Sequence, residues 1–388
     1  MLLAIHLLRN FPASNLNRDD TGAPKTQFFG GTERGRISSQ CLKYAWRRAW
    51  NELPVFQSHF DGLGIRTRDL PLTVCHLLRK QGIESDELLD AVRQNLAGFG
   101  RSDSKKDSKQ KDEAAEAAKT RTNQILFYAP QEMQVIADAF AKLIHDGAGA
   151  SAIRKMKPAE LEGLLTKLKV LPLSADVALF GRMTTDASMR QVESAIQVAH
   201  ALSTNELIPE NDFFTAVDDL STARQEAGSG MMGDLDYNSS CYYCYASINL
   251  DQFAENLAFG RKDGAKEQVR QLIPTILSTI SLVNPGAKQN SFAANTPPST
   301  VMVELLPNNL PVSYANAFLR PVQVKGDSDL ATESENALLA FADKTVKRFP
   351  LLKGERFLCP LDEHEELKGK AHIYEDIEEM FRDIQKAI

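Results

Sequence analysis

The chain opens on a run in which nearly every position is apolar, Met1 to Leu8, with neither a two-residue nor a 3.6-residue period. A short apolar run without a period predicts a strand covered on both faces, near the middle of a sheet. A loop rich in Asn, Asp and Gly follows, and Ser38 or Ser39 then caps a helix. In that helix Leu42, Ala45, Trp46 and Ala49 fall at i, i+3, i+4 and i+7, one apolar face for a core, with Lys43 and Arg47 opposite. From Val55 to about Leu171 the pattern is helical, interrupted by a charged, serine-bearing stretch near 101–121 that predicts a loop. Beyond it, SADVALFGRM, CYYCYASINL and TVMVELL predict strands, and helices are expected at 188–202, 261–282 and 313–319. Between Leu207 and Tyr242, apolar and aromatic ends flank GSGMMGDLDYN, the pattern of a long hairpin arm with a loose tip. Two further helices are expected within 328–388. The fold class is α+β.

With 388 residues, 43% of them hydrophobic and 25% charged, the chain has material for one large or two modest cores. No apolar run reaches the roughly 18 residues of a membrane span, and no leader pattern precedes the first strand, so a cytoplasmic protein is expected. The five cysteines, Cys41, Cys75, Cys241, Cys244 and Cys359, form no spaced disulfide framework, in keeping with a reducing compartment.

Net charge is −6, yet residues 1–50 carry eight Lys and Arg against three acids, an excess of five that leaves −11 for the remainder. A basic face on an acidic body suits selective binding of phosphates, though a solvated surface helix gives the same count.

Four motifs bear on chemistry. NRDD at 17–20 and FFGGTERGRISSQ at 28–40 combine Gly30, Gly31 and Gly35 with a helix N-terminus and with Arg34, Arg36, Lys43 and Arg47. Such glycines allow close backbone approach to a phosphate, and unpaired N–H groups face it. The same glycines read equally as a turn entering an amphipathic helix. No Gly-Lys-Ser/Thr follows them and the dinucleotide spacing is missing. LFGRMTTD at 179–186 places Arg182 and Met183 where a strand is expected to end; an apolar side chain there can wedge between bases or fill a core. FFTAVDDL at 213–220 offers an aromatic pair, Phe213 and Phe214, to bases or to a core, followed by Asp218 and Asp219. NPGAKQNSFAANTPP at 284–298 is a turn-rich loop bearing Lys288 and Gln289.

The seven histidines show no metal-ligand spacing. Cys241 and Cys244 have CxxC spacing without a second pair, so strand residues are favoured over half a zinc site. No catalytic residue, metal or cofactor is expected.

LNRDD at 16–20, FGGTERGRISSQCLK at 29–43, ALFGRM at 178–183, FTAVDDL at 214–220, YASINLDQF at 245–253 and PGAKQ at 285–289 together resemble the CasC backbone family of type I-E CRISPR Cascade complexes. Their order and spacing span most of residues 1–320. The resemblance implies an RRM-like (ferredoxin-like) palm sheet at 1–54, 172–206 and 243–327, helical fingers at 55–171, a β-hairpin thumb at 207–242 and C-terminal helices at 328–388. It implies a non-enzymatic subunit that polymerises head to tail along CRISPR RNA, beside other Cascade subunits, and presents the guide to target DNA. RNA contacts are implied at Asn17, Arg18, Arg34, Arg36, Ser38, Gln40, Lys43, Arg47, Arg182, Lys288 and Gln289, with Met183 and Phe214 as a wedge beside a displaced nucleotide. Tyr44 and Asn290 stand where relatives carry a basic residue, Arg at the second of them. The alternative is a metal-dependent ribonuclease of a type III-like backbone, using Asp218 or Asp219 on the thumb.

Overall fold

The computed structural model describes residues 1–59, 62–98, 121–122, 124–167, 173–184, 189–217, 229–258, 264–361 and 369–388. Nearly all of the charged stretch near 101–121 and the whole of 218–228, Asp218 and Asp219 included, lie outside these. The chain forms two compact units, residues 1–49, 196–250 and 270–388, and residues 50–195 with 251–269.

In chain order the strands are β1 (Leu2–Ser14), β2 (Thr26–Phe29), β3 (Thr32–Ile37), β4 (Ile65–Thr67), β5 (Leu126–Tyr128), β6 (Ile196–Val198), β7 (Ala201–Ser203), β8 (Glu210–Val217), β9 (Ser229–Asn249), β10 (Thr300–Leu306), β11 (Glu355–Cys359) and β12 (His372–Ile373). All but β4 and β5 belong to one large, mostly antiparallel sheet of the first unit, ordered β12-β11-β10-β1-β9-β7-β3-β2, with β6 and β8 also paired to β9. β1 lies between β9 and β10 as its unbroken apolar run predicts. On one face Leu2, Ala4 and Leu8 pack with Tyr243, Met302, Leu338 and Leu339, the last two from the helix Leu330–Arg348. On the other, Ile5 and Leu7 meet Leu42 and Trp46 of α1 (Ser39–Trp50) and Ile280 of the helix Ala265–Leu282. Burial at both faces removes every exposed position, so no period survives in the sequence.

The second unit is helical around a two-stranded ribbon of β4 and β5. Its core joins Leu70, Val74 and Leu78 to Leu89, Val92 and Leu96 and to Ile136 and Phe140, one apolar stripe from each of three helices.

Several expectations are corrected. SADVALFGRM is not a strand: Ala175–Phe180 is a helix, buried along its whole length, so neither period shows. The helix expected at 188–202 is replaced by β6 and β7, which pair with β9. GSGMMGDLDYN is no loose tip, because Ser229–Tyr237 is the return strand of the arm, with Phe213 opposite Asp234 and Phe214 opposite Gly233. Gly30 and Gly31, both at positive φ, form the two-residue turn of the β2–β3 hairpin, so their freedom serves the turn. The 261–282 expectation survives as Ala265–Leu282, and 313–319 shrinks to a single 3-10 turn at Ala315–Phe318. Cys241 and Cys244 lie in β9 three residues apart, an odd spacing that sends them to opposite sheet faces.

Candidate nucleic-acid interface

The basic N-terminal segment separates into two kinds of cation. Arg9 and Arg34 are buried. Arg9 donates to the carbonyl of Ser281 and to Asn284 Oδ1, closing the end of the helix Ala265–Leu282. Arg34 donates to Thr32 Oγ1 at 2.8 Å and to the carbonyls of Ser203, Thr204 and Phe318 at 2.9 Å each. It is a strut between β3, β7 and the turn Ala315–Phe318, and no phosphate reaches it. Arg18 and Arg48 are exposed, and Lys25, Arg36, Lys43 and Arg47 half-buried. Removing the two struts from the charge count still leaves six cations around α1 and the loops that precede it.

Local hydrogen bonds set that arrangement. Asn17 Oδ1 accepts from Ser38 N at 2.8 Å, and the Asn17 carbonyl accepts from Lys25 N at 2.8 Å. Ser38 Oγ in turn accepts from Cys41 N at 3.3 Å, capping α1. Asn17 and Ser38 therefore fix the loop and the helix start. Asp19 Oδ1 accepts from the Thr21 hydroxyl and from the N–H groups of Thr21, Gly22 and Ala23, which pulls its carboxyl below the usual range and stiffens the turn carrying Arg18. The turn-rich loop at 284–298 comes to the same place. An open cleft of about 470 Å³ is lined by Leu16 to Gly22, Cys41 and Ala287, next to Lys288 and Gln289. Lys288 is half-buried in a left-handed backbone conformation, and Gln289 Nε2 donates to the Pro285 carbonyl at 2.9 Å. Gln40 is exposed in the first turn of α1. Residues of the 17–20 and 285–289 motifs thus meet Cys41 of α1 in one cleft beyond the end of β1.

Phe214 stands on the β8–β9 ribbon over Gly233; a Cβ at Gly233 would lie 2.6 Å from Phe214 Cζ. Phe213, Phe214, Met231 and Met232 are all exposed, so the ribbon presents apolar surface to solvent. In the second unit Arg182 and Met183 part company. Arg182 is buried, paired with Glu132 at 2.7 Å and donating to the carbonyls of Phe127 and Arg190, which corrects its assignment as an RNA contact. Met183 is 86% exposed, which excludes a core role within this chain.

A second polar cluster lies inside the sheet unit. His6 Nδ1 lies 2.8 Å from Tyr243 OH, while Glu304 accepts from Tyr314 OH at 2.8 Å and from Arg356 at 3.0 Å. Burial would raise the Glu304 carboxyl, but hydrogen bonds and opposite charge outweigh it and hold the group at about 2. Burial lowers His6, and the neighbouring Glu304 opposes that shift. All five side chains are sealed from solvent, so the cluster orders the core and meets no substrate. Among the described residues no group of three or more His, Cys, Asp or Glu is placed to hold a metal, and no helix is long and apolar enough to cross a membrane.

The profile of the CT1975-like protein family matches residues 3–383. The chain belongs to the CT1975-like protein family. The CT1975-like chain is also similar to a solved chain of a "CRISPR RNA-guided surveillance complex, pre-nicking", with 27% identity, 100% of both chains covered and a TM-score of 0.79. A chain of a "CRISPR RNA-guided surveillance complex" aligns over 100% of both lengths at 22% identity and a TM-score of 0.71, a likeness of fold. No curated protein sequence matches this CT1975-like chain.

Proposed function

We propose that this chain is a non-enzymatic, RNA-binding backbone subunit of a CRISPR RNA-guided surveillance complex, of the type I-E Cascade kind, working in the cytoplasm. The observation that carries the reading is the full-length likeness to a chain of such a complex, joined to six solvent-reaching cations on α1, β3 and the loops before them. Topology supports an RRM-like palm. Along the chain the core runs β1, α1, β7, β9, the helix Ala265–Leu282, β10, and in space β10-β1-β9-β7, the 4-1-3-2 order of a ferredoxin-like sheet. Free RRM sheets stack bases on exposed aromatics. Here Tyr243 and Tyr245 are buried under the helix Leu330–Arg348, so RNA runs along α1 and the loops before it instead.

In this reading Arg18, Arg36, Gln40, Lys43, Arg47, Lys288 and Gln289 hold the RNA backbone. Phosphate contacts give affinity without sequence preference, as a carrier of varied guides requires, and base pairing with target DNA supplies sequence. The β8–β9 ribbon is the thumb: its exposed Phe213, Phe214, Met231 and Met232 fold over RNA held by the next copy in a head-to-tail filament, and Phe214 wedges beside a displaced nucleotide; Met183, exposed in the second unit, is a wedge of the same kind. The assembled complex, given Mg²⁺ or Mn²⁺ and an RNA complementary to its guide, leaves that RNA intact. Regularly spaced fragments that vanish in Asp218→Ala with Asp219→Ala would replace the scaffold with a metal-dependent ribonuclease.

A further inference from the structure

His200 lies in the two-residue link between β6 and β7, outside every motif that the sequence singles out. β7 pairs with β3, Arg36 opposite Leu202 and Ile37 opposite Ala201. One more antiparallel step sets His200 beside Ser38, the residue that caps α1. Lys25 is tied to the same spot, since its carbonyl accepts from Arg36 N at 2.8 Å. Lys43 stands in the second turn of α1.

An exposed imidazole therefore sits among cations from three elements, the loop before β2, β3 itself and α1, at the positive end of a helix. Partial burial and then Arg36, Lys25 and Lys43 push His200 below its ordinary value. Arg36 as a whole is half-buried, so it reaches solvent on the strand that pairs with β7.

We propose that His200, Lys25, Arg36 and Lys43 form one phosphate subsite for the RNA backbone, in which the imidazole joins as a cation by taking up a proton when the phosphate arrives. The inference rests on the RNA-binding reading above. Without a ligand the three neighbouring charges oppose protonation. A phosphodiester cancels part of that repulsion and accepts a hydrogen bond from the imidazolium, so the bound state holds the proton more tightly. The proton comes from solvent onto an imidazole nitrogen, and no covalent bond changes. Between the free and bound values each binding event takes up as much as one proton, so affinity climbs as pH falls through that window and is flat above it.

The test is the affinity of the full chain for an oligouridylate RNA at constant ionic strength from about pH 8 to about pH 5.5. Wild type is expected to bind as much as about tenfold more tightly per pH unit within the window, the limit for one proton. His200→Gln should lose that slope, and His200→Arg should bind tightly with no slope. Resonances of the His200 ring should titrate at higher pH once RNA is added. A wild-type affinity independent of pH, a slope that survives His200→Gln, or a ring titration unmoved by RNA overturns the inference. If RNA binding depends on Lys43 and Arg47 yet ignores His200, the subsite falls and the RNA-binding reading stands; a chain that binds no RNA at any pH sinks both.

Discussion

Lys43→Glu combined with Arg47→Glu lowers affinity for RNA by roughly a hundredfold or more at low salt and flattens its salt dependence by about 1.4 units of slope, two contacts at about 0.7 each for single strands. Both residues lie one turn apart on α1, on the side away from Leu42 and Trp46, which are buried in the sheet core. Both side chains are half-buried. Reversal substitutes repulsion for attraction without touching the core, so the fold persists. A titration of RNA affinity against salt for wild type and double variant decides it, and an unchanged slope removes α1 from the interface.

Arg34→Met does the opposite: it spares the interface and weakens the fold. The guanidinium, wholly buried, is the partner of the Ser203, Thr204 and Phe318 carbonyls at 2.9 Å. A thioether donates nothing; the Thr204 carbonyl keeps the N–H of Val322 at 2.9 Å, but the Ser203 and Phe318 carbonyls lose this donor. At about 1–3 kcal/mol for each buried carbonyl left unpaired, a loss of roughly 2–5 kcal/mol is expected. That is a large share of a typical 5–15 kcal/mol. Urea unfolding should show an early midpoint, while the folded fraction keeps the wild-type salt slope for RNA. A stable Arg34→Met with weakened RNA binding would return Arg34 to the phosphate contacts.

Charge alone could not separate these arginines. In the strand TERGRI, Arg34 and Arg36 fall on the same face, so the local pattern treats them alike, and what separates them is the carbonyl cage around Arg34 assembled from residues roughly 170 and 280 positions away. Local patterns were legible where one face or none was exposed: β1 from its unbroken apolar run, α1 from its 3.6 spacing and cap, β10 from TVMVELL. They failed where tertiary burial erased the period, as in Ala175–Phe180. They also failed where Val192, Ala195, Ile196 and Ala199 kept helical spacing in a segment that pairs with the long strand β9 instead. Ser229–Tyr237 hid behind its glycines, although Gly233 is there because the Phe214 ring occupies the space above it. His200 carried no local signal, since its neighbours Lys25, Arg36 and Lys43 converge only in the folded sheet.

A backbone subunit of the proposed kind coats a guide RNA. Purifying it after expression with a CRISPR array and partner subunits, and sizing the nucleic acid that comes with it on a denaturing gel, tests that most directly. RNA of one discrete length is expected, present for wild type and lost for the Lys43→Glu, Arg47→Glu double variant. Complexes that assemble fully but contain no RNA, or RNA retained unchanged by the double variant, would contradict it.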